Sequence, residues 1–215
     1  MPSSKLTALY VGCDESLFFP RDEAALASPG FEVFYYGAFL PLHGTEIIVQ
    51  AAHLLRDRPK IHFTIGGHGP GYVAVRDMIE SLHLTNVELV GWIPFEQLPE
   101  YTARASVCLG GHFSKVPKAA RVISTKTFQF VAMQKPTVVG DNPATRELFT
   151  HGRDVYAVAM GDPEALADAI GTLAGDAELC HRIAAGGHTV FQQRLTTPRI
   201  ADQLASVIVE ALSSR

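Results

Sequence analysis

Short apolar runs alternate with amphipathic helical patterns along nearly the whole chain, and this alternation restricts the fold more than any other feature of the sequence. FEVFYYG (residues 31–37) has the length and β-branched, aromatic content of a strand, and it leads through a Pro/Gly turn into TEIIVQAAHLL. There Ile47, Ile48, Ala51, Leu54 and Leu55 recur at helical spacing on one face. IHFTIGG, NVELVGW, ASVCLGG, KPTVVGD and DVYAVAM read as five further strands. The intervening VRDMIESL, PFEQLPEYTARA and KTFQFVAM read as helices, as do residues 163–174, 176–187 and 198–213. Asp162-Pro163 places a capping residue before a proline at the first helical position. Strands separated by helices imply βαβ units, and hence an α/β fold: one parallel sheet of about six strands with helices on both faces. Ligands of such sheets bind at the carboxyl ends of the strands. The largest polar cleft is therefore expected there, containing His43, Gly67 and Lys126.

Two turns at that edge are rich in glycine. Gly37 to Gly44 follows the first strand, and Gly66, Gly67, His68 and Gly69 follow the second. Glycine lets backbone approach a ligand, and each following helix start offers unpaired N–H groups to an anion. A merely tight strand-to-helix connection would look the same. The second turn is not a dinucleotide fingerprint, because Tyr72 stands where the third glycine belongs, and no Walker A sequence occurs.

Charge is more informative. Six of the 18 Lys and Arg, and none of the 22 Asp and Glu, fall between Tyr101 and Gly140. They are Arg104, Lys115, Lys118, Arg121, Lys126 and Lys135. A basic stretch in a chain of net charge −4 suits a phosphate or pyrophosphate. A solvated loop or a contact with an anionic protein is the plainer use. Few aromatics interleave the cations, and the chain as a whole is acidic, so nucleic acid is not an expected partner. His43, His68 and His112 each follow a strand at this edge, yet no metal-binding spacing supports them, and hydrogen bonding to sugar or phosphate is the better use. No G-x-S-x-G motif signals a serine hydrolase. Three widely spaced cysteines, Cys13, Cys108 and Cys180, argue for a reducing compartment. With no apolar run long enough to span a bilayer and no secretory leader, the expectation is a cytoplasmic domain.

Several of these segments, in order, resemble the C-terminal, donor-binding half of a GT-B glycosyltransferase, nearest to the retaining family 4. VGCDESLFFP (11–20) is similar to the G-x-D-x-x-x-F-x-P stretch that ends the interdomain linker, and YYGAFLPLHG (35–44) to the first-strand turn. FTIGGHGP (63–70) resembles I-G-x-G-P, and VELVGWIPFEQLPEYTARASVCL (87–109) the G-x-(I/V)-P…L-x-x-Y-x-x-A segment. TKTFQFVAMQKPTVVGDNPATRELF (125–149) is similar to K-x-x-E-x-x-A-x-G-K-P-V…E. The resemblance implies a linker over residues 1–20 and a Rossmann-like nucleotide-sugar domain over 21–215. It also implies an acceptor half supplied by an N-terminal domain or a separate chain, through which any membrane contact would come.

Departures from the family pattern fall at the site. The family's first-turn Arg and Lys are replaced by Ala38 and His43, and its paired glutamates by Arg121 and Gln129. The resemblance then leaves Lys126, Arg121 and His43 to stabilise the diphosphate leaving group without a metal or other cofactor. Gly37, Gly44, Gly66, Gly67, His68, Gly69 and Thr125 would contact the donor, Gln129 the ribose, and Glu147 would orient a neighbouring group. A degenerate, non-catalytic binding or assembly module on the same fold is the alternative.

Overall fold

The computed structural model describes residues 6–21 and 30–213. β1 (Phe31–Gly37) passes through a 3-10 turn, Pro41–His43, into α1 (Thr45–Leu54). β2 (Ile61–Gly67) precedes α2 (Tyr72–Ser81), and β3 (Val87–Gly91) precedes a 3-10 turn and α3 (Leu98–Arg104). β4 (Val107–Leu109) leads through a long loop to α4 (Thr125–Ala132), and β5 (Thr137–Gly140) to α5 (Pro143–Leu148). β6 (Tyr156–Val158) is followed by α6 (Pro163–Gly175), α7 (Ala177–Arg194) and α8 (Thr197–Ser213). All pairings are parallel, in the order β3-β2-β1-β4-β5-β6. This is the doubly wound α/β arrangement that the alternation of elements required.

Strand alternation divides the core in two. Val33 and Tyr35 of β1 join Ile61, Phe63 and Ile65 of β2 beneath α1 and α6, where Ile48, Val49, Leu166 and Ile170 are buried. Phe34 points the other way, with Cys108, Val139, Phe128, Val131 and Phe191 under α4 and α7. The central strands β1, β4 and β5 are thus buried on both sides, as a sheet covered on both faces demands, whereas β2 leaves His62 and β3 leaves Glu88 exposed. Phe18, 1% exposed, inserts into the second core, so the stretch read as linker lies against the domain. Its expected boundary at residue 21 adjoins residues 22–29, outside the described residues.

Three local expectations are corrected. The helix expected to stop at 187 runs to Arg194. Gly186 and Gly187 are not its end: a Cβ at either would collide with the backbone of Arg153 or Asp154, so they let α7 approach the α5–β6 loop. α5 was not anticipated, because six residues are too few to show a helical period. The Asn142 side chain caps it, accepting from Thr145 N at 2.8 Å, and Pro143 follows. Leu54 is 47% exposed, whereas Val49 and Ala52 are buried, so α1 is rotated from the face that spacing suggested.

Candidate functional site

In the observed strand order, chain direction diverges between β1 and β4. The β1 loop runs toward one face of the sheet and the β4 loop toward the other, which opens a crevice at their carboxyl ends. Tyr36, Gly37, Leu42, His43, His112, Val122, Ile123, Ser124, Thr125 and Lys126 line this crevice, about 380 Å³ in volume.

Lys126 forms its floor. It enters in the first turn of α4 and is only 5% exposed. Its Nζ donates to Ser124 Oγ at 3.1 Å and lies 5.0 and 5.8 Å from the ring centroids of Tyr35 and Tyr36. Cation–π contact offsets part of the desolvation of the ammonium. Among the described residues no carboxylate ion-pairs with it. Burial pushes its pKa down to about 7. Ser124 holds the N-cap position of α4 without using its hydroxyl as a cap. The helix start therefore keeps unsatisfied N–H groups beside a buried cation.

His43 and His112, from the two diverging loops, stack with ring centroids 5.4 Å apart. Burial first, then the Lys126 charge, push His43 down to about 3 and His112 to about 4. For His43 the neighbouring His112 adds to this, whereas a hydrogen bond to the Val122 backbone opposes it at His112. Gly37 is required here: a Cβ on it would lie 2.6 Å from the Tyr35 hydroxyl and 3.1 Å from His43 Nδ1. Gly44 has φ +68° and backs onto Phe113 and Ser114, bringing the two loops together.

Other residues expected at the site fall elsewhere. Gly66 is filled over by Ile93, and Gly67, at φ +128°, abuts the Gly37 carbonyl. Gly66 thus makes room for Ile93 beyond β3, Gly67 lets the ends of β1 and β2 approach, and neither lines the crevice. Gly69 serves the same purpose against Ala38. His68 is exposed and stacks on Tyr72 at 4.9 Å, away from the histidine pair. Gln129 is 4% exposed, and its Oε1 accepts from the Tyr36 hydroxyl, so it supports the floor from behind. Glu147 is exposed on α5, 3.5 Å from the Tyr10 hydroxyl. Arg121 is exposed and not among the lining residues, though Val122 next to it in sequence is.

The basic stretch is dispersed by the fold. Lys135 donates to Ala103 O at the far end of the sheet, and Arg104 pairs with Glu100. Of the six cations only Lys126 lines the crevice. Nor is this the widest cleft: one of about 550 Å³ beside Asp141, Arg146 and His151 exceeds it. No group of three or more His, Cys, Asp or Glu among the described residues could hold a metal ion. Sequence reasoning overlooked Tyr35 and Tyr36, which look like core aromatics and act as the cation's walls.

A doubly wound parallel sheet with a buried lysine in the crevice at its switch point defines a Rossmann-like class of α/β domain. The family described as glycosyl transferases group 1 matches residues 30–176, and the chain belongs to that family. Its fold is that of GT-B C-terminal domains. It is similar to Anabaena HepE, solved with UDP and glucose, at 22% identity and a TM-score of 0.80, over 97% of this chain and 57% of that one. The C-terminal domain of Francisella tularensis LpcC aligns at 14% identity and a TM-score of 0.70, over 86% of this chain and all of that domain. An exopolysaccharide phosphotransferase of Streptomyces coelicolor is 32% identical over 172 residues, which are 78% of this chain and 17% of the relative. The chain thus spans about a sixth of that relative. No helix among the described residues is long and apolar enough to cross a membrane.

Proposed function

We propose that this chain is the donor-binding half of a retaining glycosyltransferase, holding a nucleoside-diphosphate sugar whose sugar passes to an acceptor bound by an N-terminal half or a separate chain. One observation carries the reading: a buried ammonium without a carboxylate partner, at a helix start, on the floor of the switch-point crevice. A diphosphate there would accept from Lys126 Nζ, the Ser124 and Thr125 hydroxyls and the first N–H groups of α4. Charge developing on the leaving diphosphate would meet Lys126 on the crevice floor, with His43 beside it. Exposed Arg121, adjacent in sequence to the crevice residue Val122, would contact the outer phosphate. That HepE was solved with UDP, and others of similar fold carry glycosyltransferase names, supports the same reading.

Calorimetric titration with UDP, GDP and ADP tests it and identifies the base. Micromolar to low millimolar binding of one of them is expected. If none binds, the non-catalytic assembly module, favoured by the absence of both family glutamates, replaces it.

A further inference from the structure

The crevice concentrates basic groups without a counter-charge. His112 is 5% exposed, and its Nδ1 is withdrawn from solvent with no hydrogen-bond partner; the Nδ1 of His43 is in the same condition. Lys126 lies close enough to depress both imidazoles. Lys118 in the β4–α4 loop bears on His112, Tyr35 and Tyr36 on β1 wall Lys126, and behind those rings Cys108 on β4 and Cys13 in the N-terminal strip bear on Tyr36, and Glu46 on α1 on Tyr35. Glu46 is the one carboxylate among them. Three adjacent cations in such a place would repel one another in a partly desolvated setting, so the free protein keeps the imidazoles neutral.

A neutral Nδ1 that bears no proton is an acceptor, and a diphosphate offers it only acceptors. The mismatch disappears if the nitrogen is protonated, since it then donates to phosphate oxygen. We propose that the site takes up its anion together with protons, Lys126 and the His43–His112 pair becoming charged as the diphosphate enters, with the buried His112 a phosphate-binding residue. This rests on the donor-binding reading above. It narrows the sugar-or-phosphate contact expected of three histidines to a phosphate contact of the His43–His112 pair, and links that contact to proton uptake. It also makes donor affinity fall as pH rises, opposite to a site built on permanently charged arginine. Free Lys126 titrates near 7 and the imidazoles well below that, so the proton acquired changes identity with pH.

The test is calorimetry of UDP-glucose, or of the GDP or ADP sugar if the base screen selects it, in buffers of different ionisation enthalpy. These ligands keep fixed phosphate charge over the range used. At pH 8 an uptake of about one proton per ligand is expected, with affinity falling about tenfold per pH unit above neutrality. At pH 6 the uptake should move to the imidazoles, read directly as ring carbon and nitrogen chemical shifts of His43 and His112 in free and bound protein. His112→Gln should diminish the uptake at pH 6 and leave that at pH 8. Binding with no proton uptake, and with both imidazoles still neutral, overturns this inference and leaves the donor-binding reading standing. Absence of binding by any nucleotide sugar overturns both.

Discussion

Lys126 has opposite effects on the fold and on the ligand, and that makes its role separable. A buried ammonium is costly to the folded state, and its replacement by an apolar side chain of similar volume is expected to stabilise the fold. The same group makes a charge-assisted contact to phosphate worth about 1.5–3 kcal/mol. Lys126→Met should therefore raise the denaturation midpoint while lowering nucleoside-diphosphate affinity by about tenfold to a hundredfold. The parent nucleoside, without phosphate, should lose far less. A lysine serving the fold alone would show the reverse, a lower midpoint and equal losses for both ligands. The histidines make a second, pH-dependent prediction. Their folded pKa values of about 3 and 4 lie below the ordinary 6.5, so the unfolded chain binds more protons. Stability is then lost as pH falls from 6.5 through those folded values, and His43→Gln should flatten the decline in denaturant midpoint. Depression of Lys126 acts in the same direction at higher pH: stability falls from about 10.5 down to 7 and is unaffected by that group below.

At the scale of elements, α4 and α8 are opposites. Seven of the eight residues of α4 are buried, whereas none of the 17 in α8 is. α8 leaves Leu204, Ile208, Val209 and Leu212 about half or more exposed. Removing residues 204–215 should subtract helical signal in circular dichroism and move the thermal midpoint by only about 2–4 °C, since little apolar area leaves the core. A collapse of the cooperative transition would show that α8 is integral to the domain. The regular elements were legible because their periods repeat over many residues. α5 was not, since its formation depends on the Asn142 cap and Pro143 rather than on a pattern. Nor was the continuation of α7 through Gly186 and Gly187, where close packing against the Arg153–Asp154 backbone overrides a low helical propensity.

For the whole molecule, the proposed division of labour places donor and acceptor on different halves of a cleft. The purified 215-residue chain is then expected to bind nucleotide sugar yet form no glycoside product when offered sugar acceptors, as judged by mass spectrometry of the reaction mixture. Robust transfer would show that the acceptor is held within these residues.

The alternation of strand and helix and the glycines at strand ends determined the α/β class, because these depend on local period and on the burial of the central strands from both faces. Glycine positions indicated where segments converge, although Gly66 turned out to accommodate the Ile93 side chain and Gly67 to serve strand approach. What tertiary structure alone decided was which cations share a site. Lys126 and Lys135 lie within one basic run, but α4 carries the first to the carboxyl edge and the chain returns the second to the other end of the sheet. Likewise His43 and His112 stand 69 positions apart and meet because β1 and β4 are neighbours across the switch point. Sequence proximity reports charge density along the chain; electrostatic coupling falls with distance in space, and only the strand order sets that distance.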